Sequence, residues 1–265
     1  MKILVLISNF IDHASTSRSF TLDWQFSVLD IQLRQFMSYE TYQLDIKRFT
    51  TPRGIDYNIS GVENIVYPHE LGLNFAYSIK EWTVKNRYLL SDYDYVLFTE
   101  DDLLIREQQF HNVIQNQLLF NNVNLLYKAG FIRFEHKSDG SRVYIDQHHA
   151  HSVHRGGNSI VKQSIQIENE TFFEPWNIHS GCWLFSSKEI VHMMDTGTYQ
   201  SSPYNLGRVY CGPLESAATE IYFDYIKLYP IDIDTVAVEH MCDKYLGVTK
   251  EQILQEILSE QGRSR

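Results

Sequence analysis

Three consecutive carboxylates, Glu100-Asp101-Asp102, follow Tyr95-Val96-Leu97-Phe98 with only Thr99 between. The apolar run, aromatic and β-branched, reads as a buried strand. Three adjacent ionised side chains cannot be buried unpaired, because each would lose its hydration with nothing in exchange. A hard divalent cation resolves the conflict, since oxygen ligands suit Mg²⁺ and Mn²⁺. In open α/β sheets, ligands bind at the carboxyl ends of the strands, where these acids stand. The plainer alternative is a solvated acidic loop that happens to follow a strand.

The flanking elements decide what such acids can face. Ile3 to Ile7 reads as a buried first strand, with Ser8 and Asn9 at its carboxyl end. Leu22, Phe26, Leu29, Leu33 and Phe36 recur at the spacing of an amphipathic helix. Thr41 to Phe49 is a second strand and Asn64 to Tyr67 a third; Leu71, Phe75, Ile79 and Trp82 mark the next helix. Strand and helix thus alternate up to the carboxylates, the pattern of a mostly parallel sheet flanked by helices. Phe110, Val113, Ile114 and Leu118 predict one more helix. Beyond Asn124 we expect a strand over 125–134, a polar loop or edge hairpin over 137–163, and sheet strands within 172–185. Ser186-Ser187-Lys188-Glu189 is a capping box for a short helix ending near Gly197. Pro213 and Glu215 suit the first turn of a helix running to Ile226, Ile231 to Val238 is a strand, and Thr249 to Gln252 caps a terminal helix.

The formal net charge of −10 argues against a nucleic-acid polymer as partner, but not against a nucleotide whose phosphates a metal neutralises. The first apolar run has five residues, too short for a signal peptide or a membrane span, so the expected location is cytoplasmic. Cys182, Cys211 and Cys242 show no CxxC spacing, which predicts reduced thiols. No repeat or linker interrupts the chain, so one domain over 1–265 is expected.

Leu71-Gly72-Leu73-Asn74-Phe75-Ala76, followed by a helix and then Tyr93-Asp94-Tyr95-Val96-Leu97-Phe98-Thr99-Glu100-Asp101-Asp102, resembles the nucleotide-sugar half of GT-A glycosyltransferases. In that superfamily such a strand ends in an Asp-x-Asp metal motif, of which Glu-Asp-Asp is a variant. Asn177-Ile178-His179-Ser180-Gly181-Cys182-Trp183-Leu184-Phe185 looks like the strand lining the acceptor pocket. The helix of Glu215 resembles the one bearing the catalytic carboxylate in many inverting members, and His240 stands where several families place a late metal-binding histidine. The resemblance implies an α/β, GT-A-like (Rossmann-like) domain with a smaller antiparallel acceptor-side sheet. It divides the chain into a nucleotide-sugar half (1–105), an acceptor half (106–248) and a C-terminal helix and tail (249–265). It implies a nucleotide-sugar donor, UDP-sugar favoured, and a glycan or glycoconjugate acceptor. Two departures are visible: the first strand lacks the proline-and-asparagine ending of bacterial members, and the second acidic pair reads Glu215-Ser216.

On this reading Glu100, Asp102 and His240 surround Mn²⁺ or Mg²⁺ on the donor diphosphate, where the charge of the leaving group develops. Asp101 accepts a hydrogen bond from the ribose or donor sugar, and Ser8, Asn9 and Asn74 are further donor contacts. An inverting enzyme needs a carboxylate to deprotonate the acceptor hydroxyl. Glu215 is the first choice, with Glu220 and Glu174 as alternatives. Trp176 and Trp183 offer faces for sugar stacking, and His179 lies on the acceptor strand. Two rival readings stand beside this one. Of the cluster His148, His149, His151 and His154, the last three could bind zinc in a metallohydrolase, and the fold could serve a non-catalytic sugar- or nucleotide-binding module.

Overall fold

The computed structural model describes residues 1–11, 21–148, 160–199, 201, 213–241 and 247–263. The chain is an α/β protein and divides into two compact units, 1–103 with 181–221, and 104–180 with 222–265. Labels below follow chain order through both.

The first unit is built on β1 (Lys2–Asn9), α1 (Leu22–Met37), β2 (Gln43–Thr50), β3 (Val62–Val66), α2 (Phe75–Lys85) and β4 (Tyr95–Glu100). Its sheet has the order β11-β4-β1-β2-β3, in which β1 to β4 run parallel and β11 (Cys182–Ser186) is antiparallel to β4. β1 lies between β2 and β4, so both its edges are paired, and all of Ile3 to Ile7 is buried, which means that both its faces are covered. That is why the strand is uniformly apolar rather than alternating. From β1 the chain moves outward to β2 and β3 and then returns to the other side of β1 for β4. The switch point of the topology is therefore the gap between β1 and β4.

α1 buries Val28, Leu29, Leu33 and Phe36, and with them Gln32, a polar residue on the apolar stripe. β11 feeds α5 (Ser187–Thr196) through the expected capping box: Ser186 Oγ accepts from Glu189 N, and Glu189 Oε2 accepts from Ser186 N. Gly197 closes the helix at φ 73°. α6 (Pro213–Thr219) is shorter than its sequence suggests, giving way to a single 3-10 turn over Glu220–Tyr222. After Ala217 and Ala218 the chain turns to Thr219, Ile221, Tyr222 and Phe223, β-branched and aromatic residues that gain little from a helix.

The second unit begins at the short strand β5 (Leu103–Leu104), where the chain leaves the first, and continues into α3 (Glu107–Val123). The expected strand over 125–134 is two, β6 (Tyr127–Ala129) and β7 (Ile132–His136), divided at Gly130. A Cβ on Gly130 would lie 2.0 Å from Lys227 Cε, so a larger residue there would displace the Lys227 side chain. β7 forms a hairpin with β8 (Arg142–Tyr144), which runs into α4 (Ile145–His148). β9 (Val161–Ile167) and β10 (Glu170–Pro175) pair antiparallel. β12 (Ile226–Pro230) begins at Ile226, the last residue of the expected helix, and the predicted strand over 231–238 is a 3-10 turn (Ile233–Val236) followed by β13 (Ala237–His240). The acceptor-side sheet expected to be antiparallel is instead two small sheets, each mixed: β6-β12-β10-β9 with β6 and β12 parallel, and β13, β7 and β8 with β13 and β7 parallel. α7 (Lys250–Arg263) starts at the Thr249–Gln252 capping box and presents Glu256, whose Oε2 accepts from the amides of Ile160 and Val161. No helix among the described residues is long and apolar enough to cross a membrane.

Candidate functional site

The carboxylate run sits in the first unit at the carboxyl end of β4, beside the end of β1 and so at the switch point. In the register Ser8 pairs with Glu100, and Asn9 with Thr50 of β2. Glu100 is the last residue of β4, two residues beyond the end of the apolar run. Its amide donates to Gly181 O. Gln32 Nε2 donates to Glu100 O at 2.7 Å and to Leu103 O at 2.8 Å, closing the acidic turn between two buried anchors. Thus the polar residue on the α1 stripe is the brace of the turn.

Asn9 Oδ1 accepts from Arg48 Nε at 3.0 Å and from Thr50 Oγ1 at 3.1 Å. With its oxygen so occupied, the amide nitrogen is turned to Asp101, and Nδ2 donates to Asp101 Oδ2. Arg48 is 1% exposed; its guanidinium also donates to Thr50 Oγ1 and to the carbonyls of Gly54 and Tyr57. Burial pulls its pKa down to about 10, which leaves it charged at neutral pH. Gly54 is required for this packing, because a Cβ there would meet Thr50 Oγ1 at 1.9 Å and Arg48 Nη2 at 2.8 Å. Three strands thus cooperate to aim one carboxylate.

Part of Asp101's surface is exposed, yet its carboxyl group is enclosed. Lost hydration first, and then the charge of Asp102, push its pKa up to about 7, against the opposing pull of Asn9 and Arg48. A carboxyl group whose folded pKa lies above its unfolded value holds a proton in the native state that the unfolded chain has released. Stability therefore falls as pH rises from about 4 to about 7, and then levels. Asp101→Asn should flatten that slope and melt higher than the parent at pH 8, measured as melting temperature against pH in EDTA. Parallel curves for the two proteins would contradict the assignment.

The same repulsion bears on a cation. Among the described residues no three His, Cys, Asp or Glu side chains converge as a ready-made metal cage. Mg²⁺, however, is commonly held by one or two carboxylates and the phosphates of its substrate, rather than by an all-protein cage. Two adjacent carboxylates whose charges oppose each other fit that donor class.

The remaining expected donor contacts belong to the same unit. Ser8 is buried at the end of β1. Asn74 precedes α2 after a kink at Gly72 (φ 52°, ψ −131°), a conformation open to glycine. Its Oδ1 is buried and has no hydrogen-bond partner among the described residues.

The three candidate bases differ sharply. Glu220 is buried with Oε1 bound by Lys80 Nζ and Oε2 by the Tyr77 hydroxyl at 2.9 Å. Glu174, in the second unit, has Oε1 bound by Lys162 Nζ and Oε2 by Gln163 Nε2, each at 2.6 Å. Glu215, in the first turn of α6, is half-buried and makes no side-chain hydrogen bond among the described residues. A base must have a lone pair to offer, and Glu215 is the one of the three with both oxygens uncommitted there.

Trp183 is fully buried, its ring stacked on Phe98 at 5.5 Å between centroids, so it is core and presents no face to a sugar in this conformation. Trp176, in the second unit, is half-buried with Lys162 Nζ 5.8 Å from its ring centre. His179 is 6% exposed in a segment pinned from several directions: Asn177 Nδ2 donates to Asp146 O, His179 N to Asn177 Oδ1, and Lys227 Nζ to Ile178 O and Ser180 Oγ. His240, at the end of β13, has Nδ1 2.6 Å from Glu135 Oε1. Of the histidine cluster, residues 149–159 lie outside the described residues, as do Cys211 and Cys242. Cys182 is a buried thiol with no disulfide.

Sequence reasoning overlooked Arg48, Gln32 and Lys80. Each carried a signal, a polar or charged residue on a stripe or strand that is otherwise buried.

No family model matches the chain, and no curated protein matches it by sequence. Among solved structures, CMP:2-keto-3-deoxy-manno-octonic acid synthetase complexed with CTP is 10% identical over 100% of both chains, with a TM-score of 0.45. The 2-C-methyl-D-erythritol 4-phosphate cytidylyltransferase of Francisella tularensis is 12% identical over 98% of this chain and 100% of its own, with a TM-score of 0.40. At these values the functional reading rests on the chain's own residues.

Proposed function

We propose that this protein is a metal-dependent glycosyltransferase that takes its sugar from a nucleoside diphosphate donor, a UDP-sugar in the favoured case, and passes it to a glycan hydroxyl. The observation that carries the reading is the Asp101–Asn9–Arg48 relay at the β1/β4 switch point, the position at which open α/β sheets bind nucleotides. Asp102, with Glu100 and Asp101 beside it, would hold Mn²⁺ or Mg²⁺. A bound cation there supplies Lewis-acid stabilisation to the charge developing on the leaving diphosphate. Asn9 orients Asp101, Gln32 keeps the acidic turn closed, and Ser8 and Asn74 offer polar atoms to the donor. Glu215 takes the proton from the acceptor hydroxyl as its oxygen bonds to the anomeric carbon of the donor sugar, and the bond from that carbon to the diphosphate oxygen breaks with its electron pair going to the nucleoside diphosphate.

The diphosphate chemistry is shared with nucleoside triphosphates, so the released product identifies the reaction. The protein with Mn²⁺ is offered UDP-, GDP- and dTDP-sugars with a panel of glycan acceptors. In parallel it is offered nucleoside triphosphates with sugar phosphates. Release of nucleoside diphosphate together with a glycosylated acceptor supports the proposal. Pyrophosphate release would replace it with nucleotidyl transfer, and nucleotide binding without turnover in any arm would make the chain a binding module.

A further inference from the structure

Lys80 and Glu220 form an ion pair inside the first unit with side chains 1% and 4% exposed. Tyr77 completes it through its hydroxyl bond to Glu220 Oε2 and makes a second contact with the Ser216 side chain. Lys80 Nζ also lies 5.5 Å and 5.3 Å from the ring centres of Tyr77 and Tyr199. Stability alone is a weak reason to bury such a pair, because two hydrophobic residues of similar volume commonly serve as well or better. What a pair of this kind can supply is a single register between the elements that carry it. Here those elements are α2 and the α6 segment.

The spacing gives that register a purpose. Ser216 and Glu220 both meet Tyr77, so they lie on one side of the segment, the side gripped by α2. Glu215 is one residue before Ser216, which turns it about 100° away from the gripped side. The grip therefore sets the direction in which Glu215 points. At its other end α2 begins beside Asn74, so one helix is tied both to a donor contact and to the base.

We infer that Tyr77 and Lys80 are positioning residues that fix the rotation of α6, and with it the aim of Glu215, through Ser216 and Glu220. The inference rests on the reading of Glu215 as the base. Lys80→Met alone strands a buried carboxylate, so the informative variants are Lys80→Met/Glu220→Met, which removes both charges, and Tyr77→Phe, which removes one hydroxyl. Expected for the double variant are a melting temperature close to the parent's, UDP affinity within twofold, kcat reduced 10- to 100-fold, and faster amide exchange confined to residues 214–219. Tyr77→Phe should lower kcat 3- to 10-fold with the acceptor KM unchanged, and it decides the matter if the double variant does not fold. A folded variant with parental kcat and parental exchange overturns the inference, as does a kcat loss matched by an equal loss of UDP binding. Glu215→Gln is run alongside. If that variant keeps full turnover, the base reading fails instead, and the positioning inference is judged by the exchange of residues 214–219 alone.

Discussion

Glu215→Gln should lose turnover by about 10²- to 10⁴-fold, the range a positioned general base contributes, while binding nucleotide as tightly as the parent. The substitution keeps the shape of the side chain and its place in the first turn of α6, and removes only the capacity to accept a proton. Neither rival carboxylate can stand in for it without first breaking existing bonds. Glu220 would have to leave Lys80 and Tyr77, and Glu174 would have to leave Lys162 and Gln163. Steady-state kinetics beside calorimetry of UDP binding separates the two effects. A variant that turns over within threefold of the parent would show that the proton goes elsewhere.

Arg48→Met should destabilise the fold by about 3–5 kcal/mol, as expected when one member of a buried, fully bonded set is removed. The carbonyls of Gly54 and Tyr57 would lose the guanidinium, and Asn9 would lose the stronger of the two donors that orient it. Gly54→Ala should reach the same end by another route, because its methyl group would occupy the space of Thr50 Oγ1 and Arg48 Nη2. Since both substitutions break one network, their costs in the double variant should fall short of the sum. Both should also weaken nucleotide binding, because Asn9 no longer has a reason to face Asp101. Urea unfolding with parallel calorimetry tests each point. Losses under 1 kcal/mol, or costs that simply add, would mean that Arg48 does not organise the site.

The first unit was largely legible in the sequence because its signals are local. A strand buried on both faces must be uniformly apolar, as Ile3 to Ile7 is, and a helix on one face must show the Leu29-Leu33-Phe36 spacing. The second unit was less so. Its short strands have little periodicity to display, and Ile226 to Pro230 declares itself a strand only through its partners Tyr127–Ala129 and Phe172–Phe173. The acidic turn was visible for a comparable reason, since three adjacent carboxylates are conspicuous. Its supports were not. Arg48 is 39 residues from Asn9 and Gln32 is 68 from Glu100, so only the tertiary fold joins them. Trp183 shows the opposite failing: an aromatic residue beside a supposed pocket strand suits a sugar as well as a core, and the stack on Phe98 decides for the core.

On the proposed function, the carboxyl ends of β1 and β4 bind a nucleoside diphosphate with a divalent cation. The direct measurement is calorimetric titration of UDP into the protein with Mn²⁺ and then with EDTA, repeated on Asp102→Ala. Binding that requires both the metal and Asp102 is the predicted result. Binding indifferent to both, or no binding by UDP, GDP or dTDP with the metal present, would contradict it.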